Sequence, residues 1–495
     1  MESDYDVVII GAGILGAMIA RELSKLEGRF ALIEKESFPG LGVTRASLSQ
    51  IHLPDFCPPG SLKGRLSSNA PDRFRRLSTE LDVAYREVDQ LWLALEPSQV
   101  ENLRAAKARG ESHGATGYEI IGPEKIKELE PYLTSKAVAA LYARGVGVVY
   151  PPEWVFALVE NAIQNGLLLY LNHTVSQVSR RGDVLEIESP GKRTISAKYI
   201  VNAAGLYSDQ IAWMVGDGHV HLNLRKGTML IFDKAASGLL RHMVYGTFSE
   251  THSQDIAPTA HGNLILGVHY TKTDTKEDSS VSKGAVFETM KLGKELIPSL
   301  SGKSMITAFS GILATNTVTD NGDFYIALSQ KTPGVLHVIA GAPGLTAAPG
   351  IAEHVIGMLL SAGFKTEEKR DFHKKRIGWP RFESASFMER EKMIDANPKF
   401  GHIVCRCERV SEGEISEAIR RGAHTMDAVK HLTRAGMGRC QGGFCGIPVL
   451  RLIAAQTHLL PTQITKRGEG SYMIRERFPR TGNPGRMEHV EAVPD

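Results

Sequence analysis

Cysteine is scarce in this chain: five among 495 residues, too few for a disulfide framework at this length. Neither sign of charge is in excess. Fifty-eight Lys and Arg against 55 Asp and Glu leave +3, which gives no support to a nucleic-acid binder with its basic stripe and allows only a local basic patch. Long apolar runs are missing too. The longest near the start, residues 7–20, is 14 residues and contains Gly11, Gly13 and Gly16, too short and too rich in glycine to span a bilayer as a helix. The acidic opening, Met-Glu-Ser-Asp-Tyr-Asp, lacks the basic region of a secretory signal. A cytoplasmic location without a membrane span is therefore expected. No short internal repeat is visible. The remainder is ordinary for a globular protein, with 42% apolar and 23% charged residues. The length suggests roughly three domains and a core that needs no staples.

What is present begins at the N-terminus. Tyr5-Asp-Val-Val-Ile-Ile10 is a β-branched run of the kind that forms a buried parallel strand. Gly11-Ala-Gly-Ile-Leu-Gly16 follows at once, residues 17–26 have helical spacing, and Phe30-Ala-Leu-Ile-Glu34 reads as a second strand. In such a unit the first glycine permits the tight turn, the second lets backbone approach a pyrophosphate, and the third lets helix and strand pack closely. The helix N-terminus offers N–H groups and a positive dipole end to phosphates. Glu34, eighteen positions after Gly16, can accept hydrogen bonds from ribose hydroxyls. The motif predicts a dinucleotide site but does not separate FAD from NAD.

Downstream, residues 39–67 read as loop and residues 70–109 as helical in pattern. A helix is expected over 151–166, strands over 167–187 and 194–201, and a strand-rich region over 220–330. A strand over 334–340, a tight turn over 341–344 and a helix over 351–361 follow. Residues 366–400 are charged and without clear periodicity, which predicts a connector. The tail from Gly468 is rich in Arg, Gly and Pro and is expected to wrap or fray.

Asn202-Ala-Ala-Gly205 and Gly341-Ala-Pro-Gly-Leu-Thr-Ala-Ala-Pro349 resemble the flavin-contacting elements of the D-amino-acid oxidase superfamily of FAD enzymes. Within it the chain resembles FAD-dependent glycerol-3-phosphate dehydrogenases and oxidases of the type that carries a cysteine-rich C-terminal domain. Thr44-Arg-Ala-Ser-Leu-Ser-Gln-Ile-His52 with Pro58-Pro-Gly-Ser-Leu-Lys63 is similar to the family's flavin-side loop, whose histidine sits beside the isoalloxazine. Ala203-Ala-Gly-Leu-Tyr-Ser-Asp209 and Pro258-Thr-Ala-His-Gly-Asn263 also look like family segments. The resemblance implies FAD as cofactor. It implies flavin contacts at Gly11, Gly13, Ile14, Gly16, Glu34, Lys35, Thr44, Arg45, Ser47, Ala204, Gly205, Gly344, Leu345 and Thr346. Other relatives oxidise 2-hydroxyglutarate, amino acids or opines.

Two departures bear on the substrate. The family often carries an arginine that grips an anionic substrate where this chain has Leu313, in Phe309-Ser-Gly-Ile-Leu-Ala-Thr315. Gly267-Val-His-Tyr270 stands where a Gly-Pro turn is usual. Loss of a bidentate guanidinium is not a conservative change, so the flavin chemistry is expected to persist while the substrate differs.

Four of the five cysteines crowd between Cys405 and Cys445, which points to a metal or redox centre. Cys405-Arg-Cys407 and Cys440-Gln-Gly-Gly-Phe-Cys445 could bring two pairs of thiolates to one site, and tetrahedral sulfur suits zinc or iron–sulfur. The C-x-C spacing is too close for an ordinary zinc knuckle without excluding zinc. The pattern resembles the bacterioferritin-associated-ferredoxin-like domain, which implies a 2Fe–2S cluster on Cys405, Cys407, Cys440 and Cys445. Cys57, alone in its loop, reads as a small packed residue or a pocket wall and not as a ligand.

The expected fold is α/β: a Rossmann-type FAD-binding domain with an interleaved strand-rich substrate domain over residues 1–370, a connector over 371–400, a small, mainly helical iron–sulfur domain over 401–465, and a tail over 466–495. His52 is the first candidate for the base that takes the substrate's proton, or else only a neighbour of the flavin. His261 and His269 are second candidates for the pocket, or else strand-end histidines satisfied by backbone. Arg225-Lys-Gly227 offers positive charge for an anionic substrate, or else a solvated strand end. A one-electron cluster beside a two-electron flavin implies onward transfer to an electron-accepting subunit or protein, hence a hetero-oligomer, held peripherally at a membrane if that partner is. The competing expectations are an amino-acid or opine dehydrogenase subunit, and a relay or scaffold subunit without catalysis.

Overall fold

A computed structural model describes residues 3–249, 252–378 and 381–475. The expected tail is thus described only to residue 475, and its remainder lies outside the described residues.

Tyr5–Ile10 is the middle of an eight-stranded sheet whose main path runs Tyr325–Leu328, Val335–Ile339, Ile195–Asn202, Tyr5–Ile10, Phe30–Ile33 and Leu168–Tyr170. Val7, Val8 and Ile9 are fully buried, as expected of a parallel strand covered on both faces. The register aligns Ile10 with Ile33 on one side and with Asn202 on the other. Three chain segments therefore leave the sheet together at one edge, through Gly11, Glu34 and Ala203. Helices Ile14–Leu23, Pro151–Gln164 and Gly344–Ser361 cover one face in a single apolar core. Helix Ser208–Met214 lies against the other.

A nine-stranded sheet forms the second layer, its main path running Met305–Asn316, Leu222–Phe232, Leu264–Lys272, His252–Pro258, Met243–Phe248, Tyr85–Ala94, Ala139–Val149 and Gln50–Ile51, with Tyr118–Ile121 also paired to Ala139–Val149. One face packs on helix Lys283–Leu296 through Leu230, Ile256, Leu266 and Leu296. The other carries Tyr245, Ala257, Ile265 and Phe309 against Leu48 and Leu53 of the loop that follows Gly42.

The helical pattern over 70–109 does not survive as one helix. Helix Ala70–Leu81 stops where Asp82 turns left-handed, strand Tyr85–Ala94 follows, and a second helix runs Val100–Ser112. Tyr85–Ala94 is held by pairing with Ala139–Val149 from Tyr85↔Val149 to Ala94↔Ala139, so long-range ladder bonds override local propensity. The connector also differs from expectation. Helix Phe387–Ala396 is nucleated by a capping box between Ser386 and Glu389. Upstream, Arg376 is buried against Phe156, pairs with Glu160 and donates to Leu81 O.

The cysteine-rich segment folds as a two-stranded ribbon, Ile403–Cys405 with Val410–Ser411, and helices Glu412–Arg420, Met426–Thr433 and Gly446–Thr457. Its core is continuous with Phe38, Leu41 and Phe156 of the first layer. Among the described residues no helix is long and apolar enough to cross a membrane.

Gly11 has φ +104°, and a Cβ there would lie 2.5 Å from Ala203 O. Gly11→Ala is expected to cost about 1–3 kcal/mol, read as a lower denaturant midpoint at unchanged m, with loss of bound flavin at purification.

Candidate active site

The edge where the three segments emerge has the features of a phosphate cradle. A Cβ on Gly16 would overlap Gly11 O, whereas one on Gly13 would meet nothing closer than Thr44 Oγ1 at 3.4 Å. The glycine turn is thus closed beneath and open above. Gly13 offers no side-chain cap to helix Ile14–Leu23, and Ile14 N donates to Thr44 Oγ1 at 3.1 Å. The first turn is an anion site by geometry and dipole. Glu34 is buried, which raises its carboxyl, and its two oxygens accept from Ala12 N (2.7 Å) and Glu36 N (2.9 Å). Ala203 N donates to Ile10 O, and Gly205 has φ +58°, so the Ala204–Gly205 turn lies against the Gly11 turn. Lys35 stacks on Tyr207 beyond that turn. These features fit a dinucleotide whose pyrophosphate meets the first turn and whose ribose meets Glu34.

Thr346, in the first turn of helix Gly344–Ser361, accepts from His52 N at 3.2 Å and donates to Gln50 O at 3.4 Å. A Cβ on Gly341 would lie 2.7 Å from Ala314 O, which presses that turn against the end of Met305–Asn316. The expected contacts Thr44, Arg45, Ser47, Gly344, Leu345 and Thr346 thus collect where the two sheets meet. Gly311 and Gly267 let the 43–52 loop lie on the second sheet. Cβ atoms there would meet Ala46 O at 2.6 Å and Leu48 Cδ2 at 2.8 Å.

His52 stands over this face. Its Nδ1 lies 2.7 Å from Tyr245 OH, and the Tyr245 hydroxyl donates to Gln50 Oε1 at 3.2 Å. With the phenol on Nδ1, Nε2 is the ring nitrogen without a hydrogen-bond partner among the described residues. Burial pushes His52 down to about 4, so the ring is neutral at pH 7.

His269 and His261 are not brought to His52. Ladder partners share a face. Gly227 pairs with Gly311 and with Tyr270, whereas Thr228 pairs with His269. The register shift between Thr228 and Leu230 inserts one extra residue after Gly267, and a bulge of that kind exchanges the faces beyond it. Tyr270 therefore points to the flavin-loop side. His269 shares the opposite face with Thr228, whose hydroxyl lies 3.3 Å from Ser310 Oγ. His261 packs edge-on against Tyr150, and burial, with Arg434 nearby, holds it well below its ordinary range. It lies at the junction with the cysteine-rich domain. Sequence reasoning missed Tyr245 and Tyr270, the latter legible from alternation only with the bulge known. Arg225 stacks on Tyr270 at 4.9 Å and pairs across the ladder with Leu313, so positive charge stands beside the leucine. Cys57 is fully buried, and burial pushes its thiol to about 12, as expected for a packed residue.

The four clustered cysteines form two pairs. Cys407 Sγ and Cys440 Sγ are 3.7 Å apart and exposed, and Cys405 is hydrogen-bonded to Cys445 in the buried core. The Cys445 thiol, then the Gly436 and Glu408 amides, lower Cys405 against burial. A Cβ on Gly438 would overlap Cys407 Cβ, so only glycine lets the loop close there. Among the described residues no three His, Cys, Asp or Glu side chains gather about one point. Two thiol pairs with backbone donors around sulfur suit two irons bridged by sulfide better than one zinc.

The family model described as DAO, FAD dependent oxidoreductase, matches residues 6–358. The chain belongs to that family. A second model, the BFD-like [2Fe-2S] binding domain, matches residues 403–455. This oxidoreductase is 35% identical over 475 residues to a glycerol 3-phosphate dehydrogenase of Caloramator mitchellensis, covering 95% of this chain and 98% of that one. It is 24% identical to the anaerobic glycerol-3-phosphate dehydrogenase subunit A1 of Haloferax volcanii, over 90% of this chain and 82% of the relative. The FAD-bound, dithionite-reduced L-alpha-glycerophosphate oxidase of Mycoplasma pneumoniae shares the fold, with a TM-score of 0.70 at 24% identity over 77% of this chain and all of that one. The protein is thus an FAD-dependent oxidoreductase with a 2Fe–2S domain.

Two measurements test the site. Cys440→Ser is expected to remove the cluster's visible and paramagnetic signature with the flavin-to-protein ratio intact. Burial raises Asp55 to about 7 against its bond from Gln90 Nε2. The protonated form is therefore favoured in the fold, and its contribution is complete below the ordinary carboxyl range and lost as pH rises through about 7. Asp55→Asn is expected to flatten the fall in denaturant midpoint between about pH 4 and pH 7.

Proposed function

We propose that this oxidoreductase oxidises a small anionic hydroxy compound of the glycerol-3-phosphate or 2-hydroxyacid type and passes the electrons through its cluster to a partner. The reading rests chiefly on the His52–Tyr245 hydrogen bond, which fixes a neutral imidazole by Nδ1 and leaves Nε2 without a protein partner beside the flavin-side loop. When bound, FAD supplies the two-electron acceptor and the cluster a one-electron carrier. His52 Nε2 receives the hydroxyl proton as charge develops on oxygen. Tyr245 holds the ring by its hydrogen bond, and Phe56 packs edge-on against it. Arg225, on the strand beside Leu313, supplies the counter-charge for the substrate anion.

Geometry supports the direction of electron flow. Cys405 and Cys445 share a core with Phe38, Leu41 and Phe156, whereas Cys407 and Cys440 face outward beside Phe444 and Ile447, which are 57% and 56% exposed. Phe444, with the Arg406 guanidinium 4.5 Å over its ring, gives this outward side a mixed apolar and basic surface that suits a docked electron acceptor. The name of the Haloferax volcanii relative, a subunit, supports a hetero-oligomer, through which the chain would be held at a membrane if the partner is.

An anaerobic substrate panel read by flavin bleaching tests the reading, with amino acids and opines as the competing outcome. His52→Ala is expected to slow substrate-driven flavin reduction about 100-fold or more with FAD still bound. Fast oxygen consumption with stoichiometric peroxide and no partner would count against the onward transfer.

A further inference from the structure

Asp255 is 6% exposed and sits in the middle of the second sheet, on the face turned toward the flavin-side loop. The face follows from the ladder. Asp255 pairs with Tyr245 on one side and with Gly267 on the other, and cross-strand partners share a face. Tyr245 reaches His52 from that face, and a Cβ on Gly267 would run into Leu48 on it. Gly267 itself puts no side chain beside the carboxyl.

Only half of this carboxyl is satisfied. Ser253 Oγ donates to Oδ2 at 2.7 Å, and Oδ1 is buried with no hydrogen-bond partner among the described residues. The contrast with Asp55 is informative. That carboxyl is as deeply buried, yet it takes Gln90 Nε2 at 2.6 Å. An orphaned buried acceptor costs roughly 1–3 kcal/mol, and such a group in a native fold calls for a partner that comes from elsewhere. Tyr245 OH is engaged with His52 and Gln50, so it does not supply that partner. Burial raises Asp255 to about 7, and a donor on Oδ1 would favour the ionised form.

Resting on the reading of the site as a hydroxy-compound dehydrogenase, we propose that Asp255 is a specificity-determining residue whose Oδ1 accepts a hydrogen bond from a second hydroxyl of the substrate. The preferred substrate is then a polyol monophosphate, which carries a hydroxyl beside the one that is oxidised. A hydroxy-diacid has only the reacting hydroxyl and would set a second carboxylate against Asp255, where like charges repel. A site built to bond a hydroxyl leaves its own polar atom unpaired when that hydroxyl is missing, and so discriminates strongly.

The test uses the full-length holoenzyme under anaerobic conditions. Flavin reduction is measured with sn-glycerol 3-phosphate, with 2-hydroxypropyl phosphate, which lacks only the terminal hydroxyl, and with L-2-hydroxyglutarate. The unsubstituted enzyme is expected to prefer glycerol phosphate over its deoxy analogue by at least about 10-fold in kcat/KM, and Asp255→Val to bring that ratio within about threefold of unity. If the valine variant does not hold flavin, Asp255→Asn, of equal size, serves instead and must lower the ratio at least about threefold. An unchanged ratio in a folded variant would overturn the role of Asp255 alone, as would a preference of the unsubstituted enzyme for hydroxyglutarate. Absence of bleaching by every hydroxy compound would overturn both this inference and the reading beneath it.

Discussion

The structure depends on one close approach of backbone to backbone. Strand ends Ile10, Ile33 and Asn202 stand level in the first sheet, and the segments beyond them crowd one edge. That crowding is possible because Gly11 and Gly16 have no Cβ to meet Ala203 O and Gly11 O. Remove the clearance and the helix Ile14–Leu23 can no longer aim its uncapped first turn along the edge, where open α/β sheets bind their ligands. Glu34 is buried at the same edge because its strand ends in the same register.

The second layer supplies chemistry to that edge, and its own close approaches govern what it supplies. Gly311 and Gly267 let the 43–52 loop lie directly on the sheet, which brings His52 down to Tyr245 and leaves the face beyond it polar at Asp255, Tyr270 and Arg225. The cysteine-rich domain is joined to both layers. Arg45 of the flavin-side loop pairs with Asp427 at 3.6 Å, and Arg434 ties Glu408 to Asn263 with bonds of 3.0 Å to each. Tyr150 lies between, near His431 Nδ1 at 3.3 Å, with burial pushing His431 down to about 3. A junction of buried, mutually paired charges around neutral histidines resists rearrangement, since breaking one partner leaves an uncompensated buried charge. Such rigidity holds the inner thiol pair at a fixed place relative to the flavin-side loop.

Much of this was legible from sequence wherever the signal was local. The glycine spacing at 11, 13 and 16, the acid at 34 and the β-branched run before them need only a strand, a turn and a helix, and each arises from neighbouring residues. The cysteine spacing was equally informative of a shared site, although each pair joins one cysteine from each motif, which only the fold decides. The failures share one cause. Residues 85–94 carry a helix-compatible pattern, but nine paired positions with Ala139–Val149 outweigh it. The face that His269 takes is set by the bulge after Gly267, which no local pattern announces. His261 belongs to a segment with a familiar pattern, yet its neighbours, Tyr150 and Arg434, come from distant stretches before and after it.

Sequence alone thus determined that a dinucleotide turn and a four-thiol centre are present, because steric permission for a phosphate turn and the number and spacing of thiols are properties of short stretches of chain; FAD and 2Fe–2S came from the family resemblance. Which side chains face the substrate was decided only by tertiary structure. Strand side chains alternate with period two, so a single inserted residue exchanges Tyr270 for His269. The buried carboxyl of Asp255 gains its setting from partners about ten residues away on either side, a relation fixed by ladder register and not by any local pattern.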